Sequence, residues 1–231
     1  MTTGPPPVVG GPAAGWTSWL RSQDAALSVF VPLLLVSTVL SWPLRALLPV
    51  WVFDTFAVVT VVLGVLVLVP NPRLAVVAGA FALAVLVQRV VGYGHGTLIE
   101  VGPELAFFVL VGAALAARVF RPGRITVHRL LGAVALFVVL GVCWGMAYQA
   151  VNLTWPGSIR TNGGLASPQD AMWMSFITLT TVGYGDVVPV LPFARSLAAL
   201  EALTGVLFPS VLIGFLLADF SRSRPRDHDA S

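Results

Sequence analysis

Charge is scarce in this 231-residue sequence, in which Asp, Glu, Lys and Arg together make up only 10% of the residues. Hydrophobic residues make up 57%, and the mean hydropathy is +0.91. So few polar groups cannot cover the surface of a water-soluble globule of this length. The composition therefore excludes a soluble globular protein and predicts an integral membrane protein.

Two residue types are missing or nearly so. All 13 basic residues are arginine and none is lysine, which indicates a GC-rich coding genome and hence a bacterial source. The single cysteine, Cys143, excludes an intrachain disulfide and lies inside a long apolar run, where a small buried residue is expected.

The pI of about 9.8 is basic, but the arginines are scattered over short links and tails. This scatter favours membrane lipids over nucleic acid as partners, and we expect no soluble partner.

Long apolar runs recur along the chain, and a helix that crosses a bilayer needs about 20 such residues. Six runs qualify, at residues 27–48, 51–69, 74–91, 104–120, 128–150 and 192–218. With the N-terminus on the cytoplasmic side, nine arginines lie on that side, and the outer side holds only Arg45, Arg89, Arg160 and Arg195. Since arginine prefers cytoplasmic span ends, the sequence predicts a multi-pass plasma membrane protein with both termini cytoplasmic.

A short segment between the fifth and sixth runs enters the membrane region but is too short to cross it. Ser167 is predicted to be its N-cap, with Pro168 at the first helical position and Asp170 in the first turn. Backbone that leaves a helix at membrane depth is tolerated only where it is buried in protein or lines a water-filled path. We therefore predict a re-entrant helix that leads into a pathway through the membrane.

The residues that follow this helix read TVGYGD, at positions 181–186. Because glycine adopts positive φ angles readily, Gly183 and Gly185 let consecutive carbonyl groups point the same way. The Thr181 hydroxyl group extends this row of oxygens, and the negative pole of the preceding helix dipole points toward the same path. The segment is therefore predicted to bind a cation.

The run TTVGYGD resembles the signature of the potassium channel superfamily, and the likeness covers about residues 129–220. It implies an all-α fold with six transmembrane helices plus a re-entrant pore helix and a selectivity filter. The residues implied to bind K⁺ are Thr181, Val182, Gly183, Tyr184 and Gly185. Such a filter needs four loops and the chain supplies one, so the resemblance implies a homotetramer. It also implies a passive channel that is not an enzyme, with no cofactor and with K⁺ as the permeant ion.

The same resemblance assigns supporting residues around the filter. Trp173 is implied to donate its indole N–H to the Asp186 carboxylate, and Thr180 lies between these two supports in the sequence. Two positions depart from the family's pattern: Ile177 stands where some relatives have a glutamate, and Met174 replaces a common second aromatic residue. These departures put glutamate-controlled inactivation in doubt and predict a looser aromatic surround.

The sixth run carries the residues implied to act in gating. Gly205 falls at the family's hinge position, and Pro209, one turn later, favours a kink. Glu201 lies one turn before Gly205, and an ionisable group inside a span is a functional hypothesis by default. It is interpreted either as a brace that accepts hydrogen bonds from Ser175 or Thr178, or as a titratable gate.

Two further glycine patterns need an interpretation. Gly141 and Gly145, in the fifth run, allow close helix contact, which is expected against the sixth run, and ordinary packing within one subunit is the favoured role. A second VGYG occurs at residues 91–94, but no threonine precedes it and Arg89 lies three residues before its first glycine. We interpret Gly92–Gly96 as a turn between the third and fourth runs, not as a second filter.

The first four runs raise the possibility of a voltage sensor. Arg118, Arg121 and Arg124 recur every third residue, as sensor arginines do, but they lie at the cytoplasmic end of the fourth run. Charge must lie inside the membrane field to sense it. Their position favours a positive-inside anchor, and the sensor remains the alternative.

The predicted organisation has four parts. Residues 1–24 form a flexible cytoplasmic tail, residues 25–122 a four-helix membrane domain, residues 123–220 the pore domain, and residues 221–231 a second cytoplasmic tail. Two alternatives to a potassium-selective channel stay open, namely a subunit of a potassium transporter and a weakly selective cation channel.

Overall fold

The computed structural model describes residues 23–40, 44, 47–68, 72–91, 97–121 and 126–223. These residues are mostly helical. The helices are α1 (Gln23–Leu35), α2 (Val50–Leu68), α3 (Pro72–Val91), α4 (Leu98–Val119), α5 (Val127–Thr154), α6 (Pro168–Leu179) and α7 (Pro192–Ser223). A π-helical turn, Val36–Leu40, continues α1. The strands are β1 (Ile159–Thr161), β2 (Gly164–Leu165) and β3 (Val187–Pro189).

A helix occupies each of the six predicted runs, but the helices differ in length. Within the described residues, three stretches are long and apolar enough to cross a membrane: Leu98–Val119, Arg129–Thr154 and Pro192–Ala218. The first three helices give shorter apolar stretches, Val29–Thr38, Thr55–Leu66 and Arg73–Gln88. Length and composition therefore support a multi-pass membrane protein, and the count of six spans stays a prediction.

Helices α4 and α5 share a packed core to which α1 also contributes. Phe107 and Val111 of α4 are fully buried, as is Val139 of α5. A Cβ atom added at Gly112 would lie 3.2 Å from Val139 Cγ1, so the two helices lie close together at this point. Since lipid tails are as apolar as these side chains, dispersion contacts and small residues hold membrane helices together.

Helix α6 is held between α5 and α7 by glycines on both neighbours. A Cβ atom at Gly141 would lie 2.7 Å from the Phe176 ring, and one at Gly145 would lie 2.6 Å from Met172 Sδ. The prediction that these two glycines face the sixth run is therefore wrong, because both face the short helix. The absence of two side chains on α5 brings α6 against it.

A small three-stranded antiparallel sheet, in the order β2-β1-β3, lies beside the end of the TVGYGD segment. The all-α prediction lacked this sheet. Asn152 supports it, because its side-chain oxygen accepts from the Gly157 N–H at 3.2 Å and the Ile159 N–H at 3.3 Å. Its amide nitrogen donates to the Ala166 carbonyl oxygen at 3.1 Å. The sheet thus joins the strand after residue 186 to the end of α5.

Candidate functional site

The short helix α6 begins as the sequence predicts. The Ser167 hydroxyl oxygen accepts from the Asp170 N–H at 3.2 Å, and an Asp170 carboxylate oxygen accepts from the Ser167 N–H at 2.8 Å. This reciprocal capping box, with Pro168 following, satisfies backbone donors that the first turn leaves without helical partners. The helix has 12 residues, which is too short to cross a bilayer.

The backbone of the TVGYG segment alternates in handedness. Thr181, Gly183 and Gly185 have φ angles of 61°, 53° and 77°, whereas Val182 and Tyr184 between them do not have positive φ. In a strand with uniform φ, successive carbonyls point to opposite sides; reversing φ at every second residue turns alternate peptide planes. Consecutive carbonyl groups can then face one side, as the glycine spacing predicted.

Thr181 takes part in this alternation although it is not a glycine. A β-branched residue at positive φ is a true outlier and costs about 1–3 kcal/mol unless its surroundings impose it. Such strain is typical of functional segments. The glycine spacing predicted positive φ only at Gly183 and Gly185, and Thr181 adds a third such position.

Three backbone N–H groups of the segment form hydrogen bonds with α6 behind it. The Ile177 carbonyl oxygen accepts from the N–H groups of Val182 and Gly183, at 2.8 and 3.0 Å, and Thr181 N–H donates to the Thr178 carbonyl at 2.9 Å. These bonds satisfy carbonyls at the end of α6 that have no helical partner. Because the donors point back toward α6, the segment is fixed from its rear side.

Side chains fix the same segment at its C-terminal end. The Trp173 indole N–H donates to an Asp186 carboxylate oxygen at 2.9 Å, which is the hydrogen bond that the resemblance implied. The Trp173 and Tyr184 rings are stacked, with centroids 5.7 Å apart and planes 3° from parallel. The Thr180 hydroxyl donates to the Phe176 carbonyl at 2.6 Å. Thr180 therefore contacts the last turn of α6, next to the segment.

The opposite side of the segment is open in the single chain. The exposed fractions are 52% for Val182 and 70% for Tyr184, although both have large hydrophobic side chains. Neither Gly183 nor Gly185 has an atom within 4 Å of the position that a Cβ atom would take. The site is thus covered on the side of α6 and uncovered on the other.

Glu201 lies on α7 behind this site and is fully buried. The Tyr148 hydroxyl group donates to Glu201 Oε2 at 2.5 Å, and Ser175 Oγ lies 2.6 Å from Glu201 Oε1. Of the two hydroxyl groups that the sequence analysis considered, Ser175 is the one in contact. Tyr148 was not foreseen, because its contact depends on the rotation of α5 about its axis.

The two residues implied to act in gating lie inside one continuous helix, α7. A Cβ atom added at Gly205 would overlap with the carbonyl oxygen of Leu179, at the end of α6. Gly205 therefore has a packing role that the hinge interpretation did not include. Pro209 lies one turn further along α7.

The C-terminal end of α4 contacts α7 through aromatic rings. The Phe120 ring centroid lies 6.5 Å from that of Phe208 and 5.7 Å from that of Phe215. The Arg129 guanidinium lies 4.9 Å from the Phe215 centroid, and Arg129 Nε donates to the Val119 carbonyl at 2.8 Å. The sequence did not predict this cluster, because Arg129 counted there only as a topology signal and the aromatic residues of α4 and α7 are far apart in the chain.

Some predicted features lie outside the described residues. The turn Gly92–Gly96, with most of the second VGYG, is one of them, and Arg124 is another. Arg118 lies in the last turn of α4, and Arg121 follows that helix. The two predicted tails lie almost wholly outside, apart from the first residues of α1 and the last of α7.

Comparison with known proteins adds to this geometry. Residues 134–222 match the family model described as "Ion channel". A voltage-gated potassium channel of Aeropyrum pernix is 36% identical over 91 residues, which cover 39% of this chain and 28% of that protein. The inward rectifier potassium channel Kirbac3.1 of Paramagnetospirillum magnetotacticum is 34% identical over 87 residues, 38% of this chain and 28% of that protein. The human potassium voltage-gated channel subfamily KQT member 4 is 39% identical over 67 residues, 29% of this chain and 10% of that protein.

The matched region contains most of α5 together with α6, the TVGYGD segment and α7, which is the arrangement of an ion-channel pore module. Over this region the chain is similar to an ion-channel family and to potassium channels. The chain spans 28% of the length of the first two relatives, and the family match leaves α1 to α4 outside it.

Proposed function

We propose that the chain is one subunit of a homotetrameric channel that conducts K⁺ selectively and passively through the plasma membrane. The proposed filter is the segment Thr181–Gly185, whose carbonyl oxygens replace the water shell of the ion. No covalent chemistry and no cofactor take part. Membrane lipids surround the helices, and both termini are assigned to the cytoplasm from the distribution of arginines.

The observation that carries this proposal is the alternating backbone of the segment. Positive φ at Thr181, Gly183 and Gly185 lets the carbonyl groups face one side, while the N–H groups of Val182 and Gly183 bond to α6 behind them. A row of oxygens whose neighbouring N–H groups point away from it attracts cations and repels anions. The negative end of the α6 dipole adds to this preference near the inner end of the row.

A single chain does not surround an ion. Its segment is covered by α6 on one side and open on the other, where Val182 and Tyr184 are exposed. A ring of four identical segments around one axis would cover the open sides and supply oxygens from every direction. The homotetramer is thus proposed because the site is incomplete in one chain.

Selectivity for K⁺ over Na⁺ requires that the oxygens keep their positions when a smaller ion enters. The hydrogen bonds from α6 fix the inner half of the segment, and the Trp173–Asp186 bond with the Trp173–Tyr184 stack fixes its outer half. Supports at both ends restrict collapse around Na⁺. The last carbonyl groups of α6 and its Trp173 side chain therefore support the filter together.

The proposal is tested by planar-bilayer recording of the purified protein with K⁺ on one side and Na⁺ on the other, over a range of voltages. A reversal potential that follows the K⁺ gradient without any coupling ion supports a passive, selective channel. A reversal potential that follows Na⁺ refutes selectivity, and flux that requires a second ion supports a transporter. An open probability that does not change with voltage would exclude the alternative that α4 is a voltage sensor.

Gly183→Ala tests the assigned segment. Alanine at a φ of 53° costs about 1–2 kcal/mol, and the added methyl group meets no atom within 4 Å in the chain. We therefore expect a tetramer of normal size that has lost K⁺ conduction. Gly79→Ala on α3, where an added Cβ also meets nothing within 4 Å, is the matched control and should conduct normally. Unchanged currents in Gly183→Ala would show that the filter was assigned to the wrong residues.

A further inference from the structure

The buried hydroxyl group of Ser175 lies near two acceptors. Ser175 Oγ is 2.7 Å from the carbonyl oxygen of Gly141 on α5 and 2.6 Å from Glu201 Oε1 on α7. Both distances are those of O–H···O hydrogen bonds. A serine hydroxyl group has only one hydrogen, so it can donate to only one of these oxygens.

An ionised Glu201 would leave one of these two contacts without a hydrogen. The Ser175 hydrogen would point at Oε1 and leave two lone pairs facing each other at 2.7 Å, or point at Gly141 and leave the same repulsion at 2.6 Å. Tyr148 cannot supply the missing hydrogen, since its hydroxyl group lies on the other carboxyl oxygen, Oε2. One additional proton in the cluster satisfies every contact.

We propose that Glu201 is a neutral carboxylic acid that acts as a hydrogen-bond donor and ties the three helices of the pore module together. Its Oε1–H donates to Ser175 Oγ, the Ser175 hydroxyl donates to the Gly141 carbonyl, and the Tyr148 hydroxyl donates to Glu201 Oε2. Each hydrogen in this chain has one acceptor. The chain begins on α5 at Tyr148, crosses α7 and α6, and returns to α5 at Gly141.

The surroundings of Glu201 agree with a neutral group. Glu201, Tyr148 and Ser175 are all fully buried, and each carboxyl oxygen lies within hydrogen-bond distance of one of the two hydroxyl groups. An ionised carboxylate in an apolar interior is costly unless a cation or several donors compensate it. Two hydroxyl groups, one of which also faces a carbonyl oxygen, are a poor substitute for water.

The acid lies beside a second contact between the same helices. Glu201 and Gly205 are four residues apart on α7, and their partners Ser175 and Leu179 are four residues apart on α6. Residues four apart lie on one helix face, so these two contacts fix both the spacing and the register of α6 against α7. Glu201 is thus a positioning residue: it holds α6, and through Ile177 the loop that α6 supports.

The proton can be observed directly, because the chain has only three glutamates, Glu100, Glu104 and Glu201. Full-length protein grown with ¹³C-glutamate and reconstituted in liposomes gives three side-chain carboxyl signals in solid-state NMR. At neutral pH we expect one signal at the position of a protonated carboxyl group, which is absent from E201Q. The variants E100Q and E104Q each remove a different signal and complete the assignment. Three ionised carboxylates, or a protonated signal that belongs to Glu100 or Glu104, would overturn the proposal.

Two substitutions supply an independent measurement that does not depend on conduction. Glutamine keeps both roles of the neutral acid, since its N–H can donate to Ser175 and its oxygen can accept from Tyr148. Methionine fills a similar volume but keeps neither hydrogen bond. We expect the oligomer of E201Q to melt close to the temperature of the unsubstituted protein and that of E201M to melt well below it. An E201Q melting temperature as low as that of E201M would mean that the carboxyl group acts as an anion.

Discussion

Replacing Gly205 with alanine adds one methyl group where α7 passes closest to α6. The new Cβ atom would overlap with the Leu179 carbonyl oxygen and approach the Leu179 Cα atom to 3.2 Å. Both atoms belong to the backbone, so no change of side-chain rotamer relieves the contact. The end of α6 must move away from α7, and the segment that begins at Thr181 must move with it.

An overpacked contact typically lowers the free energy of unfolding by about 1–3 kcal/mol. Here the new Cβ atom is attached to the backbone of α7 and meets the backbone of α6, so neither partner can rotate away, and we expect a loss near the upper end of that range. We therefore expect Gly205→Ala to destabilise the protein by about 3 kcal/mol, even though alanine favours helix by up to about 1 kcal/mol over glycine. Gly214→Ala is the matched control, because it lies on α7 and an added Cβ there meets nothing within 4 Å. The control should be neutral or slightly stabilising.

Thermal unfolding of the purified oligomer in detergent, followed by circular dichroism, compares the two variants. If Gly205→Ala were as stable as Gly214→Ala and changed only the opening of the channel, then Gly205 would act as a hinge and not as a contact. That result would refute the packing argument. If both stability and conduction decrease, loss of current in this variant says nothing about bending, and Pro209→Ala becomes the better test of a kink.

Three further changes test other contacts of the pore module. Trp173→Phe keeps a ring for stacking but removes the hydrogen-bond donor to Asp186. It should lower the free energy of unfolding by about 1 kcal/mol and lower the ratio of K⁺ to Na⁺ permeability under bi-ionic conditions. An unchanged permeability ratio would contradict a supporting role for Trp173. Asn152→Ala should lower the free energy of unfolding by about 2 kcal/mol and speed amide hydrogen exchange at residues 157–166. Asn152→Asp keeps the side-chain acceptor and should change the exchange rates less. Phe120→Ala removes two aromatic pairs between α4 and α7 and should cost about 1–3 kcal/mol, with a change in open probability in recordings. Phe120→Leu should change the open probability less than Phe120→Ala does. If the two variants had the same open probability, the aromatic contacts between α4 and α7 would not affect channel opening.

The parts of the site that the sequence predicts are those governed by local rules. The capping box at Ser167 and the short length of α6 follow from residues within one or two turns of each other. The TVGYG segment follows from glycine spacing and from a resemblance of high specificity. The Trp173–Asp186 hydrogen bond came from the resemblance alone, since nothing local relates two residues that are 13 apart.

The parts that the sequence does not predict depend on how helices rotate and where loops meet. Tyr148 and Glu201 are 53 residues apart, and their contact requires particular rotations of α5 and α7. Gly141 could face either neighbour, and the choice of α6 depends on the ring of Phe176. Strands of two or three residues carry too few positions for an alternating pattern, so the sheet left no sequence signal.

The open side of the 181–185 segment has a consequence for cells that produce both sound and faulty copies. In the proposed four-subunit ring every pore is formed by all four chains, so one defective subunit blocks conduction through a ring that contains three native subunits. With equal amounts of native and Gly183→Ala chains mixing at random, roughly one sixteenth of the rings would be wholly native. Co-expression should therefore suppress current far more than dilution does, whereas pores built from one chain each would keep roughly half.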